Sequence, residues 1–184
     1  GNSTAATGTP ADSIAPAAPA VAPQPDGSVA IALIPSSDTE KDANSATVKY
    51  TDETGATVTV NLVKDQTTGN WSFDPTGSTV ETTAGTTALT TLPAGVTLVP
   101  ATGALTIDNL AIKNGATASV TVYDIDGNSN ANSAVVNDTT KPVITVDDQI
   151  TTDDILNAAE TGSDLTITGT TDAEIGQTVT VNVG

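Results

Sequence analysis

Apolar residues recur at every second position in several short runs of this chain. "SVAIALI" (28–34) sets Val29, Ile31 and Leu33 on one side, and "ATVTVNLV" (56–63) does the same with Val58, Val60 and Leu62. "ALTIDNLAI" begins with Leu105 and Ile107 in alternation, and "SVTVYDI" (119–125) sets Val120, Val122 and Asp124 against Thr121 and Tyr123. "VITV" and "LTITG" continue the habit near the C-terminus. A period of two is the signature of a strand with one buried face. Between the runs stand "QPDGS", "DETGA", "TTGNW", "DPTGS" and "PATGA", whose Gly, Pro, Asp and Asn favour tight turns. In "NWSFD" the strand period puts Trp71 and Phe73 on one side, where core packing is the expected role. Short strands, frequent turns and no helical period predict an all-β protein built of Ig-like β-sandwich modules.

The pattern also repeats. "GNSTAATGTPADSIAP" (1–16) aligns without gaps on "GNSNANSAVVNDTTKP" (127–142), pairing Asp12 with Asp138 and Pro16 with Pro142. "GATVTVNLV" (55–63) likewise parallels "GQTVTVNVG" (176–184). Self-similarity of this kind marks tandem modules. Residues 1–11 are expected to be the last strand of an upstream repeat, 12–137 a complete sandwich domain, and 138–184 the first part of the next repeat. Half a sandwich cannot bury both faces of its strands. Residues 138–184 are therefore expected to be poorly ordered alone or to borrow strands, including by exchange between fragments.

Composition narrows the chemistry. The chain has 184 residues, five lysines, no arginine and a net charge of -17. It has no Cys and no His, which removes thiol and imidazole catalysis and the usual zinc and copper ligands. Such a negative charge repels phosphate, so nucleic acid is not an expected partner. No apolar run is long enough to span a bilayer, so membrane insertion is not expected. Paired carboxylates alone do not make a glycosidase without a cleft and positioning groups, and the chain is read as a non-enzyme.

One stretch stands apart. "YDIDGNSNANSAVVNDTTKP" (123–142) holds three aspartates and four asparagines. Calcium takes six to eight oxygens from carboxylates, carbonyls and water. With Ile125 turned to the core, Asp124 and Asp126 point the same way; Asn128 adds an oxygen or braces the turn, and Asp138 approaches from the module's exit. Further acids stand at Asp147, Asp148, Asp153, Asp154 and Glu160. The spacing is not that of an EF-hand, because the twelfth position from Asp124 is Val135 rather than Glu. An equally available reading is an ordinary polar turn, since Asp-Gly and Asn cap turns through their own backbone. Asp12 is expected to hold metal weakly or not at all. Asp38, Glu40, Asp42, Asp52 and Glu53 read as solvated loops.

"YDIDGN" before a final strand, "NDTTKPVITVDD", "DDILNAAETGSDLTITGTT" and "EIGQTVTVNVG" together resemble the tandem Ig-like repeats of bacterial giant surface adhesins, the biofilm-associated (Bap-like) and RTX-type proteins. The resemblance covers most of the second unit and about half of the first; residues 75–116 depart from the usual shorter pattern. It implies an extracellular, cell-surface extender module serving cell adhesion and biofilm formation, with neighbouring repeats and a host or matrix surface as partners. It also implies Ca2+ stiffening the junctions between repeats. The alternative is a calcium-dependent ligand- or glycan-binding module of the same adhesin, with Trp71, Tyr50 and Tyr123 as the candidate aromatic platform.

Overall fold

The computed structural model describes residues 12–38, 41–147, 158, 164, 166–173 and 177–181. The expected strand at 1–11 lies outside these residues. The chain divides into two compact units, Gly1–Thr139 and Thr140–Gly184. Among the described residues every element is a strand, and every strand pairing is antiparallel.

The first unit is a β-sandwich. Its elements are β1 (Ala20–Pro23), β2 (Val29–Ala32), β3 (Ser45–Thr51), β4 (Thr57–Lys64), β5 (Trp71–Thr82), β6 (Gly85–Ala88), β7 (Val96–Val99), β8 (Ala104–Ile107), β9 (Thr117–Tyr123) and β10 (Ser129–Val135). One sheet runs β1-β2-β8-β7 and the other β10-β9-β3-β4-β5-β6. The alternating residues meet between the two sheets. Val29, Ile31, Leu105 and Ile107 face Val48, Val58, Val60, Leu62, Val120 and Val122 in one buried cluster, with Trp71 at 1% exposure among them. Each such aliphatic side chain contributes about 1.5–3 kcal/mol on burial, so this layer carries the fold. Phe73 is half-buried against the same core. The turns predicted from "QPDGS", "DETGA" and "TTGNW" hold Gly27, Gly55 and Gly69 at positive φ, a backbone region that glycine enters without steric cost.

Two strand relationships set the surroundings of β10 and of the turn before it. β3 and β9 are paired with Ser45 opposite Tyr123, and beyond that pair Asn44 N donates to Tyr123 O at 2.7 Å. The loop before β3 is thereby brought against the β9–β10 turn. β10 is the edge strand of its sheet, and β1 packs beside it.

In the second unit β11 (Ile144–Val146) pairs with β12 (Gly169–Thr171). Ile144, Val146, Ile167, Val179 and Val181 line an open groove of about 400 Å³. Val179 and Val181 correspond in the sequence parallel to Val58 and Val60. The latter pair is 2% and 0% exposed, whereas Val179 and Val181 are 46% and 54% exposed.

Candidate metal centre

Asp12, Asp42 and Asp124 come together, each offering a carboxylate oxygen within 4.8 Å of the others. They arrive from three distant parts of the chain: the segment leading into β1, the loop before β3, and the turn after β9.

The β9–β10 turn fixes Asp124. Its N–H donates to Asn128 O at 3.0 Å, closing a five-residue turn with Gly127 at φ 91°. Asn128 N donates to Asp124 Oδ1 at 2.8 Å, and Asn128 Nδ2 donates to Oδ2 at 2.7 Å. Burial opposes ionisation of this carboxyl. The Asn128 side chain and the backbone N–H groups of Asn128, Gly127 and Asp126 more than offset it, and the group is held below the usual carboxylate range. Asp124 is thus an oriented anion.

Asp42 sits in a constrained loop. Lys41 before it has φ 56°, a conformation uncommon for a residue with a side chain. Asp38 Oδ1 accepts from Lys41 N at 3.0 Å, and Lys64 Nζ donates to Lys41 O at 3.0 Å. Held this way, Asp42 has both carboxylate oxygens buried with no hydrogen-bond partner. Buried ionised groups are normally paired or bound to a cation, because the loss of hydration is otherwise uncompensated. Asp12 is exposed and forms a local turn, its Oδ1 accepting from Ile14 N at 2.9 Å.

The residues expected from the sequence distribute differently. Asp124 and Asn128 are together, with Asn128 bracing the turn rather than offering a free oxygen. Ile125 is 73% exposed, so it does not turn Asp126 towards Asp124; Asp126 is exposed and contributes its backbone N–H. Asp138 lies beyond the far end of β10, roughly 20 Å away along a seven-residue strand. There its N–H donates to Asn114 Oδ1 at 3.1 Å, and its Cβ lies 3.1 Å from where a Cβ on Gly27 would stand. The approach of Asp138 to Asp124 is therefore not made. Asp147, in the second unit, is exposed and accepts from the Thr168 hydroxyl. Asp148, Asp153, Asp154 and Glu160 lie outside the described residues, as does Glu40.

Asp12 and Asp42 were not singled out by sequence as strong ligands. Asp38, read as a solvated loop residue, is 6% exposed. Asp52 caps its own turn, accepting from Thr54 N and Ala56 N, each at 2.9 Å. The aromatic platform is mostly internal: Trp71 and Tyr50 are 1% and 3% exposed.

The rest of the "GNSNANSAVV" stretch has a different occupation. Asn130 and Asn132 project from β10 on the same face as Val122 and Val120, opposite which they stand, and Asn128 precedes them in the β9–β10 turn. These core-facing positions are polar because they hold the segment leading into β1. Asn128 Nδ2 donates to Asp12 O at 3.0 Å, Asn130 Nδ2 to Pro16 O at 3.2 Å, and Asn132 Nδ2 to Pro19 O at 3.0 Å. Prolines have no N–H to share in a ladder, so residues 12–19 lie along the edge without being a strand. The asparagine side chains supply the missing cross-links.

No known family, curated protein or solved structure matches the chain. No helix among the described residues is long and apolar enough to cross a membrane.

Proposed function

We propose that this chain is a structural extender module of a bacterial cell-surface adhesin, and that Ca2+ at Asp12, Asp42 and Asp124 fastens the leading segment to the sandwich. One observation carries the metal reading: carboxylates from three remote segments converge, and both carboxylate oxygens of half-buried Asp42 are shut off from solvent with no hydrogen-bond partner. All-oxygen donors with no His or Cys suit a hard cation. Mono- and bidentate carboxylates, with carbonyl or water oxygens, satisfy the six to eight ligands of Ca2+, whereas Mg2+ demands a stricter octahedron. The adhesin reading draws on the repeated segments and on the likeness of "NDTTKPVITVDD" and "EIGQTVTVNVG" to adhesin repeats.

Without cation the carboxylates repel one another and Asp12 is free to leave. With cation the folded state gains RT ln(1 + [L]/Kd). Extracellular modules bind calcium at about 10⁻⁴–10⁻³ M, so such a site fills outside a cell and empties inside it. Calorimetric titration of the chain with Ca2+ and with Mg2+ tests the site. Saturable calcium binding that Asp42→Asn abolishes supports it; absence of calcium binding at millimolar levels refutes it.

A further inference from the structure

Asn114 and Gly115 make the single Asn–Gly step in the chain, and neither the core nor the candidate metal centre uses them. Such a step reacts with itself. The glycine nitrogen attacks Cγ of the asparagine and forms an N–Cγ bond. The side-chain nitrogen leaves as ammonia, taking the proton of the glycine N–H, and a cyclic imide remains. Water opens the ring at either carbonyl, giving aspartate or isoaspartate, and isoaspartate adds a methylene to the backbone. Asparagines followed by other residues react more slowly, because a side chain there crowds the attacking nitrogen. Losses of this kind make asparagine a thermolabile residue.

The step sits in the connection between β8 and β9. Ala116 N donates to Lys113 O at 3.0 Å, closing a turn with Asn114 and Gly115 at its centre and Gly115 at φ +79°. That is the type II pattern, whose third position calls for glycine. Both residues are exposed, and a Cβ on Gly115 would meet nothing within 4 Å, so neither burial nor crowding shields the step. Its two reacting groups are instead tied to the segment that follows β10. Gly115 N donates to Val136 O at 2.7 Å, and Asn114 Oδ1 accepts from Asp138 N at 3.1 Å. Val136 is fully buried and its own N–H donates to Ala116 O at 2.8 Å, so the segment is itself anchored. Attack at Cγ requires Gly115 N to release Val136 O and the carboxamide to leave Asp138.

We propose that Asn114 is a self-modification site of the first unit, a deamidation site whose rate is set by the Val136–Asp138 segment. Water is the only other reactant. The native chain converts slowly, in step with the local openings that every surface turn undergoes. Aspartate at 114 keeps an acceptor for Asp138 N. Isoaspartate lengthens the turn, which then loses its fit to both Val136 and Asp138.

Peptide mapping by mass spectrometry, in mildly alkaline buffer with and without urea, follows every asparagine of the full chain. In urea Asn114 should convert before any other. In native buffer it should convert slower by about tenfold or more, since two hydrogen bonds must first break. Asp138→Pro lacks the N–H that holds the Asn114 carboxamide and should move the native rate towards the urea rate. Gly115→Ala, followed in urea where its left-handed strain has no bearing, should slow the reaction and so trace it to the nitrogen of residue 115. Burial of Trp71, read by its emission, verifies folding in native buffer. The proposal is overturned if another asparagine leads in urea, if the native chain converts as fast as the unfolded one, or if a folded Asp138→Pro keeps the wild-type native rate.

Discussion

A Cβ on Gly103 would lie 2.7 Å from Nε1 of Trp71 and 2.8 Å from Cδ1, so the Gly103 backbone is packed directly on the indole. Gly103 also has φ +70° and donates its N–H to Val99 O at 2.9 Å. Gly103→Ala has no relaxed alternative. It should cost about 2–4 kcal/mol, from left-handed strain plus overpacking. The urea midpoint measures the loss, and red-shifted emission of the single tryptophan locates it.

Asp42→Asn should act in opposite directions with and without calcium. In chelator the variant should melt higher than the wild type, because a buried unpartnered charge and two repulsions are removed. In millimolar calcium the order should reverse, since the wild type gains about 0.6–2 kcal/mol from a site of the expected affinity. That corresponds to a few degrees in Tm for a unit of this size. A variant that melts below the wild type in chelator would contradict the placement of Asp42.

Acid should expose the role of the β9–β10 turn. The carboxyl of Asp124 is depressed in the folded state below its ordinary value of 3.8. A depressed group contributes stability that is present above the unfolded value and lost as pH falls through the folded one. Asp26 and Asp65, held down by bonds from Ser28 and from Thr68 and Thr67, add to the same limb. In chelator, Asp124→Asn should be less stable at neutral pH and should lose less than the wild type on acidification below about pH 4. Urea melts at a series of pH values provide the comparison.

Alkali should test the core. Burial, with a smaller contribution from Asp52, raises Tyr50 well above its ordinary value of 10.0. A raised group gives stability that is complete below the unfolded value and declines as pH rises beyond it. Wild-type stability should therefore fall above pH 10, and Tyr50→Phe should flatten that decline. An unchanged alkaline slope in the variant would show that other groups set it.

The sandwich was legible because its information is local. Val29, Ile31 and Leu33, or Val58, Val60 and Leu62, declare a buried face within seven residues, and Gly27 and Gly55 declare the turns between. The candidate site has no such local signature. Asp42 and Asp124 meet only because β3 pairs with β9, a relationship between segments more than seventy residues apart that alternation does not specify. Asp12 joins them because prolines keep its segment out of the sheet. The parity of Val120, Val122 and Asp124 points Asp124 inward and Ile125 outward, as found; turning Ile125 to the core, and with it Asp126 towards Asp124, went against that parity and fails. Asn130 and Asn132 were visible as polar residues. That they occupy core-facing positions follows from register, which places them opposite Val122 and Val120.

The direction in which residues 12–19 run has a mechanical consequence. Asp12 lies beside Asn128 and Pro19 beside Asn132, so this segment travels parallel to β10, and past the end of β10 Thr139 N donates to Pro25 O, in the β1–β2 turn, at 2.9 Å. Tension applied outward at Asp12 and at Thr139 slides the two segments past each other. The asparagine cross-links and the Thr139–Pro25 bond are then sheared together, sharing the load, instead of being peeled open one after another. A pull from the same side on both ends would unzip them singly. The first unit is arranged to resist stretching along the chain more strongly than the modest strength of any one of these bonds implies.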